Sequence, residues 1–410
     1  MVNLINTSKM SDLTKIKNRN KNRCPNCDNK QLTKFYEVKK VPVQSCAVLS
    51  SRTAALNFPR RDITLAFCNK CGFITNTAYD PNIQTFSASY EDQQGFSSTF
   101  NAFAVNLAHK LIKKYDLYKK DIVEIGCGKG DFLLKLCELG NNRGVGIDPC
   151  YINARNKTEK AKSVVFIKDL YSERYSNYHS DLLCCRHTLE HINTSFEFIK
   201  MIRRSIGSNL DTIVFFEVPD TIRILRELSF CDIYYEHCSY FSPGSLARLF
   251  RSCSFSIIDL VKAYDDQYIL IEAKPETMTD KTMHKLEENV EQLAADVKYF
   301  SHNIKNKLNQ WKKYLMQIDA DGKRVVIWGA GSKCVGFLTS IGCENQIDYV
   351  VDINPFLHGK FIPGVGKEIK EPDFLREYMP DTVIIMNPIY RNEIKQMLDN
   401  MGITTELISA

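Results

Sequence analysis

The stretch "DIVEIGCGKGDFLLKL" at residues 121–136 constrains the fold more than any other part of the chain. An apolar strand runs into a loop with glycines at alternate positions, Gly126, Gly128 and Gly130, and a helical pattern follows from Asp131. Glycines let the backbone turn sharply and approach a ligand, and the following helix N-terminus can face that ligand. The stretch therefore predicts an α/β domain with a doubly wound sheet and a ligand-binding loop.

Acidic residues end the next two predicted strands. "GVGIDP" places Asp148 where a carboxylate can accept hydrogen bonds from both hydroxyls of a ribose, and "VVFIKDL" ends at Asp169. Gly130 comes one residue too early for the dinucleotide fingerprint G-x-G-x-x-G. The E-x-G-x-G-x-G form resembles motif I of the class I methyltransferases, which bind S-adenosylmethionine. The donor-site residues that we predict are Glu124, Gly126, Gly128, Gly130, Asp148, Asp169 (near the adenine) and His187.

Two further predicted strands bring polar residues to the same sheet edge. "DLLCCRHTLEHI" ends in His187, Glu190 and His191, and "TIVFFEVPD" ends in Glu217 and Asp220. Ligands of a doubly wound sheet bind outside the carboxyl ends of its strands, so we expect a functional site there. For either histidine alone, a helix-start residue bonded only to the backbone is an equally good interpretation.

The run "YYEHCSYFS" at residues 234–242 combines tyrosines, a glutamate and a histidine. Neighbouring side chains point in different directions, so such a run is not simply core or surface. An imidazole titrates near neutral pH, which makes His237 a candidate acid or base. A polar loop whose residues bond to one another is the alternative.

Two cysteine pairs, "CPNC" and "CNKC", predict a metal site. Cys24, Cys27, Cys68 and Cys71 have the spacing that a tetrahedral Zn²⁺ takes from two tight turns. Four cysteines leave no open position, so this zinc would be structural. Coincidence in a chain with fifteen cysteines is the alternative.

The net charge of +6 is concentrated at the N-terminus. Residues 1–23 hold six basic residues and one acidic residue, which leaves +1 for residues 24–410. We predict a disordered basic tail over residues 1–23 and a nearly neutral folded body, which argues against a nucleic-acid partner. No signal segment or apolar run long enough to span a membrane is present, so we expect a cytoplasmic protein with reduced thiols and no membrane partner.

Residues 283–315 carry an apolar stripe at helical spacing, from Met283 to Leu315. It predicts a connecting helix, with a coiled-coil dimer seam as the alternative. "KRVVIWGAGSKCVGFL" then starts a Rossmann-like domain whose second strand ends in Asp352, and a later loop carries Asn387 and Tyr390. Cys334 occupies the place of the third fingerprint glycine, which argues against NAD, although a dinucleotide site stays open.

The order of these motifs resembles the sugar C-methyltransferase family, from Cys24 to the end of the chain. The resemblance implies a zinc-binding domain at residues 24–78, a methyltransferase domain at 79–275, a connecting helix at 276–318 and a C-terminal Rossmann-like domain at 319–410. It also implies that a nucleotide-activated 4-keto-deoxysugar is methylated at C3, with S-adenosylmethionine as donor. We expect a monomer or a homodimer.

The same resemblance assigns roles in the reaction. His237 would take the C3 proton, while Tyr234 and Glu236 would position the sugar and support the enolate. The residues that would assist from neighbouring loops are His191, His187 and Tyr90, although the spacing around Tyr90 departs from the family. Two other functions stay open: methyl transfer to a sugar hydroxyl, and a non-enzymatic nucleotide- or RNA-binding role for the zinc module and basic tail.

Overall fold

The computed structural model describes residues 23–84, 86–87, 89–155, 163–277 and 282–410. Except for Arg23, the predicted basic tail lies outside the described residues. Within those ranges, no helix is both long and apolar enough to cross a membrane. The strands of the described residues form a four-stranded, a seven-stranded and a five-stranded sheet.

The N-terminal part folds as an antiparallel sheet that takes its last strand from far along the chain. Its elements are β1 (Leu32–Pro42), α1 (Arg52–Leu56), β2 (Arg60–Cys68) and β3 (Ile74–Asn76). The fourth strand is β9 (Ser239–Tyr240), which pairs Tyr240 with Ile74 and Ser239 with Thr75. The segment that carries His237 is therefore built into the edge of the N-terminal sheet.

The central domain is a doubly wound sheet. Its elements, in chain order, are α2 (Ser98–Tyr115), β4 (Asp121–Ile125), α3 (Asp131–Gly140), β5 (Arg143–Ile147), β6 (Val165–Ile167), β7 (Leu182–Arg186), α4 (Ser195–Ile206), β8 (Ile213–Pro219), α5 (Thr221–Glu227), α6 (Pro243–Ser252), β10 (Phe255–Ala263) and β11 (Tyr268–Pro275). The strand order is β10-β11-β8-β7-β4-β5-β6, parallel from β8 to β6 and antiparallel at β10 and β11.

The apolar runs and the glycine loop explain this sheet locally. All of β7 is buried, as expected for a parallel strand covered on both faces. Gly126 has φ +69, and a Cβ there would lie 1.9 Å from Oγ1 of Thr188. Only glycine fits this position, which lets the loop fold tightly at the carboxyl edge of β4.

Helix α7 (Val290–Ala320) connects the central and C-terminal domains. Asn289 and Gln292 form a capping box that starts the helix at Val290, so Met283 lies outside it and is exposed. The residues of α7 that are buried are the stripe residues Leu293, Val297, Phe300, Ile304, Trp311 and Leu315, and Ile318 one turn further on. The stripe packs against α5 and β1.

The C-terminal domain is a parallel sheet in the order β14-β13-β12-β15-β16. Its elements are β12 (Val325–Trp328), α8 (Ser332–Ile341), β13 (Tyr349–Val351), β14 (Ile369–Lys370), α9 (Leu375–Tyr378), β15 (Thr382–Ile385), α10 (Arg391–Asn400) and β16 (Glu406–Ser409). Glu393 reaches the central domain and accepts hydrogen bonds at the start of α2 from Ser97 Oγ (2.7 Å) and from the backbone N–H groups of Ser98 and Thr99. The carboxylate thus joins the two domains at a helix N-terminus, where negative charge is favoured.

Candidate active site

A cavity of about 300 Å³ lies between the central and C-terminal domains. The predicted catalytic residues that line it are Tyr90, His187, His191, Tyr234 and His237. From the C-terminal domain, the lining includes Ser332, Lys333, Asp352, Asn387 and Tyr390. A cleft enclosed by two domains and lined by convergent polar groups is the usual form of a small-molecule site.

His237 lies in the cavity wall and is 6% exposed. Its ring contacts the rings of Tyr234 (centroids 4.1 Å apart) and His191 (4.8 Å). Burial, with a smaller effect from His191, holds the pKa of His237 well below its usual range. Within the described part of the chain, no side-chain hydrogen bond engages its ring. Burial therefore favours the neutral imidazole of His237, which is the form that can accept a proton.

Glu236 lies behind the cavity wall, fully buried. Its Oε1 accepts hydrogen bonds from the backbone N–H (2.7 Å) and Oγ–H of Ser45, in the N-terminal part of the chain, and from Tyr90 Oη (3.4 Å). Ser45 Oγ also lies 2.8 Å from Ser332 Oγ of the C-terminal domain. Burial raises the pKa of Glu236, and the bonds from Ser45 oppose this shift. This carboxyl anchors the turn that carries His237, and it does not line the cavity.

His187 is fixed between two carboxylates at the end of β7. Its Nε2 lies 2.8 Å from Glu217 Oε1 and its Nδ1 lies 3.6 Å from Glu190 Oε1. Burial would lower the pKa of His187, but the two carboxylates outweigh it and raise the pKa to about 9. The backbone is strained there, with φ +48. His187 is thus a fixed positive charge in the cavity wall.

Tyr90 connects the glycine loop to the cavity. Its backbone carbonyl accepts a hydrogen bond from the buried Nζ of Lys129 (2.8 Å), and its ring is buried in the cavity wall. Although the spacing around Tyr90 departs from the family pattern, Tyr90 lies beside Glu236 and lines the cavity.

Of the predicted donor residues, Asp148 and Gly128 are joined by a hydrogen bond at the glycine loop. Asp148 accepts hydrogen bonds from the backbone N–H groups of Gly128 (2.8 Å) and Cys150 (2.6 Å), and burial raises its pKa. Gly128 has φ +56, and the space that its Cβ would occupy is open. Glu124 is buried, its Oε2 has no hydrogen-bond partner among the described residues, and burial raises its pKa to about 8. This open loop with polar carboxyl groups fits a ribose and an amino-acid chain.

Asp169 is engaged at the surface of the central domain. It contacts Arg174, accepts a hydrogen bond from Tyr175 Oη, and is partly exposed. It lies at the end of β6, outside the lining of the cavity. An adenine-binding role for Asp169 stays a prediction.

The four predicted metal cysteines come together. The sulfurs of Cys24 and Cys71 are 3.6 Å apart, those of Cys27 and Cys68 are 3.5 Å apart, and all four lie within 4.8 Å of one another. Four thiolates around a tetrahedral Zn²⁺ at 2.3 Å would lie roughly 3.8 Å apart. The donor set and spacing therefore fit a structural zinc ion.

The glycine loop of the C-terminal domain also faces the cavity. Asp352 accepts a hydrogen bond from the backbone N–H of Ala330 (2.6 Å), and Lys333 pairs with Asp232 of the central domain. Cys334 is fully buried beneath the loop, and Gly336 packs against the backbone of Cys231. Gly336, the one glycine of α8, thus serves domain packing.

Ser45, Cys46 and Glu190 are among the site residues to which the sequence assigned no role. Cys46 and Glu190 line the cavity, and Ser45 holds Glu236. No motif surrounds Ser45 in "PVQSC", and its partner lies 191 positions away. The sequence did offer a signal for Glu190, because in "HTLEH" it lies between the two candidate histidines, His187 and His191.

The family comparisons cover both domains around the cavity. A family model described as a methyltransferase domain matches residues 100–260, and one described as the C-methyltransferase C-terminal domain matches residues 271–406. The C-methyltransferase NovU of Streptomyces niveus is 26% identical over 298 residues, which are 68% of this chain and 70% of that protein.

Two solved structures show weak likeness to the chain. One is the dimethyltransferase RosA of Streptomyces davawensis, with 16% identity and a TM-score of 0.35. The match covers 43% of this chain and 56% of that protein. The 1,6-didemethyltoxoflavin-N1-methyltransferase of Burkholderia thailandensis (14% identity, TM-score 0.34) is matched by 44% of this chain over 81% of its own length.

The glycine loop, the doubly wound sheet and the methyltransferase match define the class: the chain is a class I S-adenosylmethionine-dependent methyltransferase. The predictions of fold class and enzyme class are confirmed. The C-terminal match and the relative support, more narrowly, a C-methyltransferase family.

Proposed function

We propose that this methyltransferase acts on a ring carbon beside the ketone of a nucleotide-activated deoxysugar. The observation that carries the proposal is the position of His237, whose ring lies in the wall of the cleft shared by the methyltransferase and C-terminal domains and contacts Tyr234 and His191. Carbon methylation needs a base for a proton made acidic by the neighbouring ketone, and a neutral, positioned imidazole supplies one.

Each part of the chain has a task in this reaction. The loop at Gly128 and Asp148 would hold S-adenosylmethionine, which would supply the methyl group. His237 accepts the proton from the carbon, and Tyr234, in contact with its ring, orients the sugar in the cavity. The charge of His187 favours the developing enolate, because fixed positive charge in a partly desolvated cleft stabilises an anion.

The C-terminal domain and helix α5 of the central domain would hold the nucleotide. Lys333 and Arg223 both line the cavity, and both are paired with Asp232. Cationic side chains beside a glycine loop suit a diphosphate, whose charge would replace part of the pairing with Asp232. The cysteine cluster would hold a structural Zn²⁺ where the turn before β1 meets the turn after β2.

Product analysis in deuterated water tests this function. The zinc-replete protein is incubated with S-adenosylmethionine and with keto- and hydroxy-sugar nucleotides, and the products are fragmented by mass spectrometry. We expect one methyl group on a ring carbon beside the ketone. A methyl group on oxygen, obtained without deuterium entering the ring, would contradict carbon methylation and assign His237 to hydroxyl activation. The control His302→Ala removes an exposed imidazole of α7 and should give the wild-type product.

A further inference from the structure

Three side chains in the cavity have the composition of a metal site distinct from the cysteine cluster. Glu190, His191 and His237 each offer one ligand atom, and these atoms lie within 4.8 Å of one another. All three residues line the cavity. Two imidazoles and one carboxylate form the ligand set of many zinc sites that keep an open position.

The surroundings of the three residues leave their ligand atoms free. Glu190 is 2% exposed, and its Oε2 has no hydrogen-bond partner in the described residues. His191 Nδ1 lies 3.1 Å from the backbone carbonyl oxygen of Glu236, which fixes the ring and leaves Nε2 available. A backbone carbonyl that holds the second nitrogen is a common support for histidine ligands.

We propose that Glu190, His191 and His237 bind a divalent transition metal such as Zn²⁺ or Co²⁺, which occupies the cavity and blocks His237 as a base. Two ligand atoms of a tetrahedral zinc lie about 3.4 Å apart. The ligand atoms of the three residues lie within 4.8 Å of one another, so side-chain rotations that move them by roughly an ångström would close the site. Imidazole ligands favour Zn²⁺ and Co²⁺ over Mg²⁺ or Ca²⁺.

Two cationic side chains lie near the three residues, and each is paired with a carboxylate outside the proposed site. His187 faces Glu190 through Oε1 at 3.6 Å, while its other nitrogen is paired with Glu217. Lys333, a cation in the same lining, is paired with Asp232. Glu190 Oε2 therefore remains for the metal. A ligated His237 has no lone pair for a proton, so the inhibition rests on the proposed function, whereas the binding of metal does not.

Cobalt titration of protein that holds one Zn²⁺ per chain, in the cysteine cluster, tests the site. We expect one Co²⁺ to bind with weak visible bands and without the thiolate charge-transfer band that exchange into the cysteine cluster would produce. Glu190→Gln should weaken this binding at least about tenfold, since losing even supporting groups of a metal site has that effect. Thiolate bands alone, or unchanged affinity in Glu190→Gln, would overturn the proposal.

Matched variants locate the ion. His179→Asn alters the group of Asp121, His179 and Asp181, in which His179 is exposed, and should keep the cobalt site. Loss of binding in His179→Asn would place the ion there and refute the proposal. If circular dichroism shows that Glu190→Gln does not fold, His191→Gln is titrated in its place. Weaker cobalt binding in His191→Gln then supports the site, and unchanged affinity overturns it.

An activity measurement separates the two proposals. Added Co²⁺ should slow solvent deuterium exchange into the keto-sugar, with a midpoint equal to the dissociation constant from the titration. Exchange unaffected by saturating Co²⁺ would overturn inhibition at His237. If the metal-free cavity shows no exchange with any keto-sugar, the proposed function fails, and the cobalt titration still decides the metal site.

Discussion

Two histidines in one cavity wall have pKa values shifted in opposite directions because their neighbours differ. His187 stands between Glu217 and Glu190, whereas His237 is surrounded by Tyr234 and His191 and by no paired carboxylate among the described residues. Environments that push two pKa values apart typically assign the acid and the base of a site. At this scale His237 is suited to take a proton, and His187 to hold a charge.

Asp148 is the residue on which we expect the affinity for the methyl donor to depend most. We expect Asp148→Asn to raise the dissociation constant for S-adenosylhomocysteine about ten- to a hundredfold, because a charged acceptor for ribose hydroxyls is lost. Isothermal titration calorimetry measures this constant. Asp211→Asn, at an exposed aspartate, is the matched control. Equal affinities for the two variants would refute the assignment of Asp148.

At the scale of elements, the turn before β9 joins all three parts of the molecule. Glu236 receives two hydrogen bonds from Ser45, and Ser45 contacts Ser332. Tyr235 Oη accepts a hydrogen bond from the backbone N–H of Asp80 (2.9 Å), which fixes the same turn from another side. The position of His237 therefore depends on the N-terminal sheet.

Removing one hydroxyl should loosen this turn without affecting the donor. We expect Ser45→Ala to lower kcat about ten- to a hundredfold, because small misplacements of a reacting group are costly. Donor affinity should stay unchanged, and Ser45→Thr should restore part of kcat. Steady-state kinetics and calorimetry give both quantities, with Ser50→Ala as the exposed control. A wild-type kcat in Ser45→Ala would exclude this positioning role.

On the scale of the whole molecule, the cysteine cluster is coupled to the cavity through a sheet. Cys68 ends β2, Cys71 follows in the next turn, and β3 pairs with β9 just after His237. A metal that holds the two cysteine turns would therefore also hold the base. The methyltransferase loop lies in a different sheet and does not share this support.

Removal of the zinc ion should separate methyl transfer from donor binding. We expect chelation of the cysteine-bound zinc to abolish methyl transfer while S-adenosylhomocysteine still binds, and one equivalent of Zn²⁺ to restore activity. Activity assays and calorimetry on the same sample measure both. Full activity at a measured zinc content of zero would contradict the coupling.

The sequence was most informative where a function depends on neighbouring residues. The glycine loop from Glu124 to Gly130 and the alternation of strands and helices predicted the class I fold because each rests on local spacing. The addition of β9 to the N-terminal sheet was not predictable, since a two-residue strand has no periodicity to read. The bond from Ser45 to Glu236 was hidden for the same reason: a long-range contact leaves no local pattern.

Solvent exchange without the methyl donor tests the central claim most directly. The keto-sugar nucleotide is incubated in deuterated water with the wild-type protein, with His237→Ala and with the control His302→Ala. We predict deuterium at the carbon beside the ketone for wild type and control, and a loss of about 10² to 10⁴-fold in exchange rate for His237→Ala, the usual contribution of a positioned base. Equal exchange rates in all three proteins would show that His237 is not the base.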